Sequence, residues 1–230
     1  MTALQSRSVT AHEINNTNDY RKIYEWFGYD CTTPKGVEDI ISAAEKDEKI
    51  DVYINSPGGF VDAGQEIYSA LRSDPRVNIH VVGQACSAAS IIAMAGHSDI
   101  SPVGMLMIHN VSGGATGDYR VMTKTADTLK HFNAALAEAY AEKTGLSSDE
   151  LLKMMDRETW LTANQCIEYG FINAISEPAA DMKAVASVGS IRLTADDISR
   201  YQKHVEDEKK EKELEEKIAD ITKNLYMYGI

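Results

Sequence analysis

Between about Gly36 and Ala186 the chain switches repeatedly between a helical and a strand period of apolar residues, and this alternation constrains the fold more than any other feature. Val37, Ile40, Ile41 and Ala44 recur at the three-four spacing of one helix face, so Val37 to Glu45 reads as an amphipathic helix. Lys49 to Asn55 (K-I-D-V-Y-I-N) reads as a strand, stopped by the turn residues Ser56-Pro57-Gly58-Gly59. A helix through Ala63, Ile67, Ala70 and Leu71 ends at Asp74-Pro75. Strand Val77 to Val82, helix Ala88 to Ala95 closed by Gly96, and strand Met105 to His109 continue the series. Parallel strands need crossover connections, and the helices supply them. The expected class is therefore α/β, with helices packed on the faces of a mainly parallel sheet.

A long helix is expected from about Asp118 to Lys143, with Gly145 as its C-terminal stop. Two capping boxes mark further helix starts, Ser147 with Glu150 and Thr162 with Gln165. The alternation fades near Ala186, which divides the chain into a domain over residues 1–186 and a helical extension over 187–230. Thr194 with Asp197 reads as the cap of that extension, whose stretch from His204 to Lys217 is dense in charge. Leu214, Ile218, Ile221 and Leu225 lie on one stripe of it, which suits either a solvated helix or a partner-binding one.

With 230 residues and 43% hydrophobic content the chain can bury a substantial core. A net charge of −12 repels phosphate over most of the surface and argues against nucleic acid as a partner. Cys31, Cys86 and Cys166 show no metal-ligand or redox spacing and read as structural thiols of a reducing compartment. The first residues lack the apolar stretch of a signal peptide and no run is long enough to span a bilayer, so the expected location is the cytoplasm, without membrane association.

Three places carry candidate chemistry. Gly83-Gln84-Ala85-Cys86-Ser87-Ala88 joins a strand to an apolar helix, where Ser87 would sit beside unpaired backbone N–H groups able to hold an oxyanion. His109 ends a strand whose carboxyl end can converge with its neighbour's on one crevice. Asn55-Ser56-Pro57-Gly58-Gly59 can offer a second backbone donor, since paired glycines permit close approach to a substrate. Each also has an ordinary reading: a helix N-cap, a satisfied strand-end histidine and a plain turn.

Taken in order, Ile54-Asn55-Ser56-Pro57-Gly58-Gly59, Gly83-Gln84-Ala85-Cys86-Ser87, Met107-Ile108-His109, Trp160-Leu161-Thr162-Ala163 and Glu168-Tyr169-Gly170 resemble the Clp protease proteolytic subunit. The resemblance covers roughly Asp51 to Ile175. It implies a crotonase-like α/β fold with a projecting handle helix, serine-peptidase action on peptide or protein substrates, and assembly into a homo-oligomeric ring. By position it implies Ser87 as nucleophile, His109 as general base, and Gly59 and Ala88 as oxyanion donors, with Gly58 supporting the turn. It implies no cofactor, metal or nucleotide. Where the family has an aspartate two residues before the aromatic, this chain has Glu158, and Asp156 is the alternative for the third role. The segment before Gly36, the charged extension and Glu158-Thr159-Trp160-Leu161-Thr162-Ala163 look more like phage and prophage head-maturation proteases than like a partner of a cellular ATPase. Capsid or scaffold proteins then become expected partners. Two rivals share the fold: an acyl-CoA enzyme, which would not require the Ser87–His109 pair, and a capsid-assembly protein without turnover.

Overall fold

The computed structural model of the chain describes residues 6–11, 13–14, 18–28, 30–177 and 195–228. They fall into two compact units, those within 1–21 and 30–190 and those within 22–29 and 191–230. The elements in chain order are β1 (Ser6–Ala11), β2 (Glu13–Ile14), α1 (Asn18–Trp26), β3 (Cys31–Thr32), α2 (Pro34–Ala43), β4 (Lys49–Ser56) and α3 (Val61–Arg72). There follow β5 (Val77–Cys86), α4 (Ala88–Ile92), β6 (His97–Ile100), β7 (Met105–Ile108), α5 (Tyr119–Thr144), α6 (Ser148–Asp156), β8 (Thr159–Thr162), α7 (Ala163–Glu168), β9 (Ala174–Ile175) and α8 (Ala195–Tyr228).

In the first unit a seven-stranded sheet runs β1-β4-β5-β6-β9, with β7 branching from β5 and β8 pairing β7. All its pairings are parallel except β7 with β8. This is the α/β architecture expected from the alternation. α2 begins earlier than its apolar face suggests because Thr33 caps it, accepting from the Gly36 N–H at 3.2 Å, and Pro34 has no N–H to satisfy.

Burial alternates along β4, with Ile50, Val52 and Ile54 in the core and Asp51, Tyr53 and Asn55 half-buried on the opposite face. Val77, Ile79 and Val81 of β5 join the same core, together with Ile67 and Leu71 of α3. The other face is polar: His80 Nδ1 lies 2.7 Å from Asp99 Oδ2 and its Nε2 3.5 Å from Asp51 Oδ1, while Tyr53 stacks on the ring. The hydrogen bond with Asp99, aided by Asp51, raises the His80 pKa above the ordinary histidine value despite partial burial.

Both capping boxes form. Ser147 Oγ accepts from the Glu150 N–H while Glu150 Oε2 accepts from the Ser147 N–H, and Gln165 Oε1 accepts from the Thr162 N–H at 3.0 Å. α5 is capped by the Asp118 carboxylate and stopped by Gly145 at φ 74°, a left-handed turn suited to glycine. Its apolar stripe is divided, however. Leu136, Ala137 and Tyr140 are buried in their own unit, whereas Val121 and Met122 are exposed. The apolar stripe of Val121, Ala126, Leu129, Phe132, Leu136 and Tyr140 is therefore not one surface open to neighbouring subunits, because its carboxyl-terminal part is buried within the unit, where Tyr140 reaches Ser90 of α4.

In the second unit Trp26 stacks on His204 at 5.2 Å and meets Tyr201 edge-on, so α8 has an aromatic anchor near its start. The expected cap at Thr194 and the boundary between residues 186 and 187 lie outside the described residues. Among the described residues no helix is long and apolar enough to cross a membrane.

Candidate active site

The strand that carries Ser87 is longer than its sequence suggests. β5 continues past Val82 to Cys86, its first half pairing β6 and its second half β7, from Gln84 opposite Met105 to Cys86 opposite Met107. The change of partner coincides with a break in the β4–β5 ladder, where Ile54 faces Val81 but Ser56 faces Ala85. Asn55 fills this break: its Oδ1 accepts the Gln84 N–H at 3.2 Å, and a Cβ on Gly83 would collide with that oxygen. A side chain at Gly83 would therefore displace Asn55 from the Gln84 N–H.

Because β5 and β7 are parallel neighbours, their ends bring Ser87 and His109 to one edge of the sheet. The Ser87 N–H donates to Met107 O at 2.9 Å, and His109 Nε2 lies 2.7 Å from Ser87 Oγ. Ser87 adopts φ 54° and ψ −125°, a conformation costing roughly 1–3 kcal/mol for a residue with a side chain. Its hydroxyl makes no capping bond to α4 and is instead directed at His109. Asn133 of α5 braces the segment beyond the histidine, its Oδ1 accepting the Val111 N–H at 2.8 Å.

The glycine turn lies against the serine. Gly58 and Gly59 have φ 114° and 148°, and the buried Ser56 Oγ accepts the Gly58 N–H at 3.1 Å. That bond turns the Gly58 N–H back into the turn.

The two carboxylates considered for the third role differ in setting. In the antiparallel β7–β8 ladder Met107 faces Trp160 and Ile108 faces Thr159, so the next residues in register are His109 and Glu158. Glu158 is a positive-φ residue at 49°, and its Oε1 accepts the Trp160 indole N–H at 3.1 Å. Asp156 lies further along and accepts from Asn110 Nδ2 at 2.8 Å. Among the described residues neither carboxylate is hydrogen-bonded to His109.

Cys86 adjoins the serine, yet burial and the nearby Glu158 charge push its thiol up to about 11. Burial likewise pushes the Cys166 thiol up to about 12. Neither is a thiolate near neutral pH. Reasoning from sequence named Asn55 only as part of the turn, with no role for its side chain, and did not name Asn133. Asn55 could have been found from its place before the turn, whereas Asn133 sits on a helix with no local signal.

The Clp protease family model matches residues 39–179. A curated relative, the ATP-dependent Clp protease proteolytic subunit 1 of Leifsonia xyli subsp. xyli (strain CTCB07), is 32% identical over 144 residues, which is 61% of this chain and 73% of the relative.

Proposed function

The chain belongs to the Clp protease family and is a serine-type peptidase, and from that premise we propose that it is an endopeptidase with Ser87 as nucleophile and His109 as general base. The observation that carries the assignment is the 2.7 Å separation of His109 Nε2 from Ser87 Oγ. For this bond to serve catalysis Nε2 must accept, which puts the imidazole proton on Nδ1. Ser87 Oγ then attacks the peptide carbonyl as its proton passes to Nε2. The Gly59 and Ala88 N–H groups hold the oxyanion, His109 protonates the leaving amine, and water hydrolyses the acyl-enzyme. Glu158 steadies the imidazolium through Nδ1, a role supported by its register opposite His109. Its carboxylate would rotate from the Trp160 indole to reach the ring.

A fluorophosphonate probe tests the chemistry, since it reacts only with an activated serine. Labelling should occur on Ser87 and vanish, with peptide hydrolysis, in Ser87→Ala and His109→Ala while the far-ultraviolet circular dichroism is unchanged. Retained turnover in Ser87→Ala would refute the nucleophile.

The setting is proposed more finely as capsid maturation in a phage or prophage, inside a cytoplasmic homo-oligomeric ring that acts on capsid or scaffold proteins. The Glu158 to Ala163 segment and the charged helix α8 support it. The relative's name favours a second reading, the proteolytic subunit of a cellular ATP-dependent protease. Degradation of a folded, tagged reporter separates them: a strict requirement for an added unfoldase and ATP would favour the cellular reading. Cleavage of a scaffold protein without either would favour the phage one.

A further inference from the structure

We infer that Ser90 and Tyr140 are positioning residues of the oxyanion hole, acting through the peptide that joins Ser87 to Ala88. The inference rests on the assignment of Ser87 as nucleophile and Ala88 as an oxyanion donor.

The Ser87 carbonyl accepts two hydrogen bonds from one residue, from the Ser90 N–H at 2.9 Å and from Ser90 Oγ at 2.6 Å. Ser90 Oγ also lies 2.7 Å from the Tyr140 hydroxyl. A serine hydroxyl has a single proton, and that proton is committed to the Ser87 carbonyl, so Tyr140 must be the donor to Ser90. The direction of the chain is thus Tyr140 O–H to Ser90 O–H to Ser87 C=O. Ser90 and Tyr140 are 0% and 1% exposed, leaving neither hydroxyl a water partner to exchange for this one. Burial also raises the Tyr140 pKa, which keeps the phenol protonated as the donor.

The consequence follows from peptide geometry. The peptide after Ser87 is trans, so its C=O and N–H point in opposite directions from one rigid plane. Holding the carbonyl with two donors therefore holds the Ala88 N–H, and the unusual ψ of −125° at Ser87 is the torsion that aims it. Without the Ser90 hydroxyl only an ordinary turn bond would restrain that plane. The buried Tyr140 phenol would then lack its acceptor. Tyr140 also packs edge-on against Phe171, 5.8 Å between ring centroids, so its ring has a packing role separable from its hydroxyl.

The variants Ser90→Ala and Tyr140→Phe remove one hydroxyl each and keep the bulk. Each should lower kcat on a chromogenic peptide about tenfold, less than the 10²–10³ typical of deleting an oxyanion donor outright, with KM changed less than twofold. Inhibition by a peptide aldehyde, whose hemiacetal oxygen occupies the hole, should weaken by the same factor as kcat. Ser90→Cys retains a weaker donor and should fall between Ser90→Ala and the unmodified chain. The double variant should be no slower than the more impaired single one, because the two hydroxyls act in series. If both variants keep kcat and aldehyde affinity within twofold while their urea midpoints fall, the chain stabilises the core only and the inference is overturned. Retained hydrolysis in Ser87→Ala would instead remove the assignment on which it stands.

Discussion

A Cβ placed on Gly58 would stand 2.7 Å from Ser87 Cβ and 2.9 Å from Cys86 O, so the turn after β4 approaches the serine more closely than any side chain permits. Gly58→Ala must push the turn off the elbow or strain a backbone at φ 114°. The expected result is a loss of about a hundredfold or more in kcat/KM, with Gly59 displaced from the oxyanion, and about 1–3 kcal/mol of stability. Steady-state kinetics beside a urea titration measures both. Activity above half that of the unmodified chain would show that the contact is not needed for turnover.

Glu158→Gln should lower kcat about a hundredfold or more if its charge steadies the His109 imidazolium, by analogy with the loss of ~10⁴ when a triad aspartate is neutralised. Asp156→Asn should be mild, because its carboxylate is engaged by Asn110. The opposite order of sensitivities would transfer the role to Asp156, and two mild effects would identify a working serine–histidine dyad.

The polar face of the sheet predicts a pH dependence of stability. The Asp99 hydrogen bond and the Asp51 charge raise the His80 pKa above 6.5, with Tyr53 and Asn78 as the other polar groups around the cluster. A raised folded pKa means that protonated His80 stabilises the fold fully below the unfolded value, and that this contribution is lost as pH rises through the folded value. The urea midpoint should fall between pH 6 and pH 9 by more in the unmodified chain than in His80→Gln. Equal slopes would show that the cluster does not couple to folding.

The division of α5 decides where an assembly test must be aimed. Val121 and Met122 are 41% and 46% exposed, and covering them between subunits is favourable at about 25 cal/mol per Å² before association costs. Val121→Glu with Met122→Glu should shift light scattering from an oligomer towards a monomer while leaving the urea midpoint of the monomer nearly unchanged. Leu136→Glu should instead unfold the unit, since it buries an unpaired charge in the core. An unmodified chain that is monomeric at micromolar concentration would contradict ring assembly.

Much of the fold was legible because its signals are local. Helix and strand periods, the Asp118 and Gly145 ends of α5 and the two capping boxes depend on residues a few positions apart. The extension of β5 to Cys86 was not legible, because Gly83-Gln84 looks like the end of a strand until β7 is present to pair with it. The face that α5 presents to its own unit was hidden for the same reason. An apolar stripe states that it will be covered, but not by what.

For the candidate site, the sequence by itself determined which residues are available: a serine between strand and helix, a strand-end histidine, a glycine pair and a carboxylate near the next strand. Only the tertiary structure decided which of them meet. Ser87 and His109 converge because β5 exchanges β6 for β7 at the Asn55 break, and Glu158 falls next in register to His109 just beyond the β7–β8 ladder, with its carboxylate on the Trp160 indole. The bond from the Tyr140 hydroxyl to Ser90 Oγ, behind the Ser87 carbonyl, depends on α5 packing against α4. Hydrogen-bonded register and packing between elements distant in the chain carry no local periodicity, so they become visible only when the strands are paired and the core is closed.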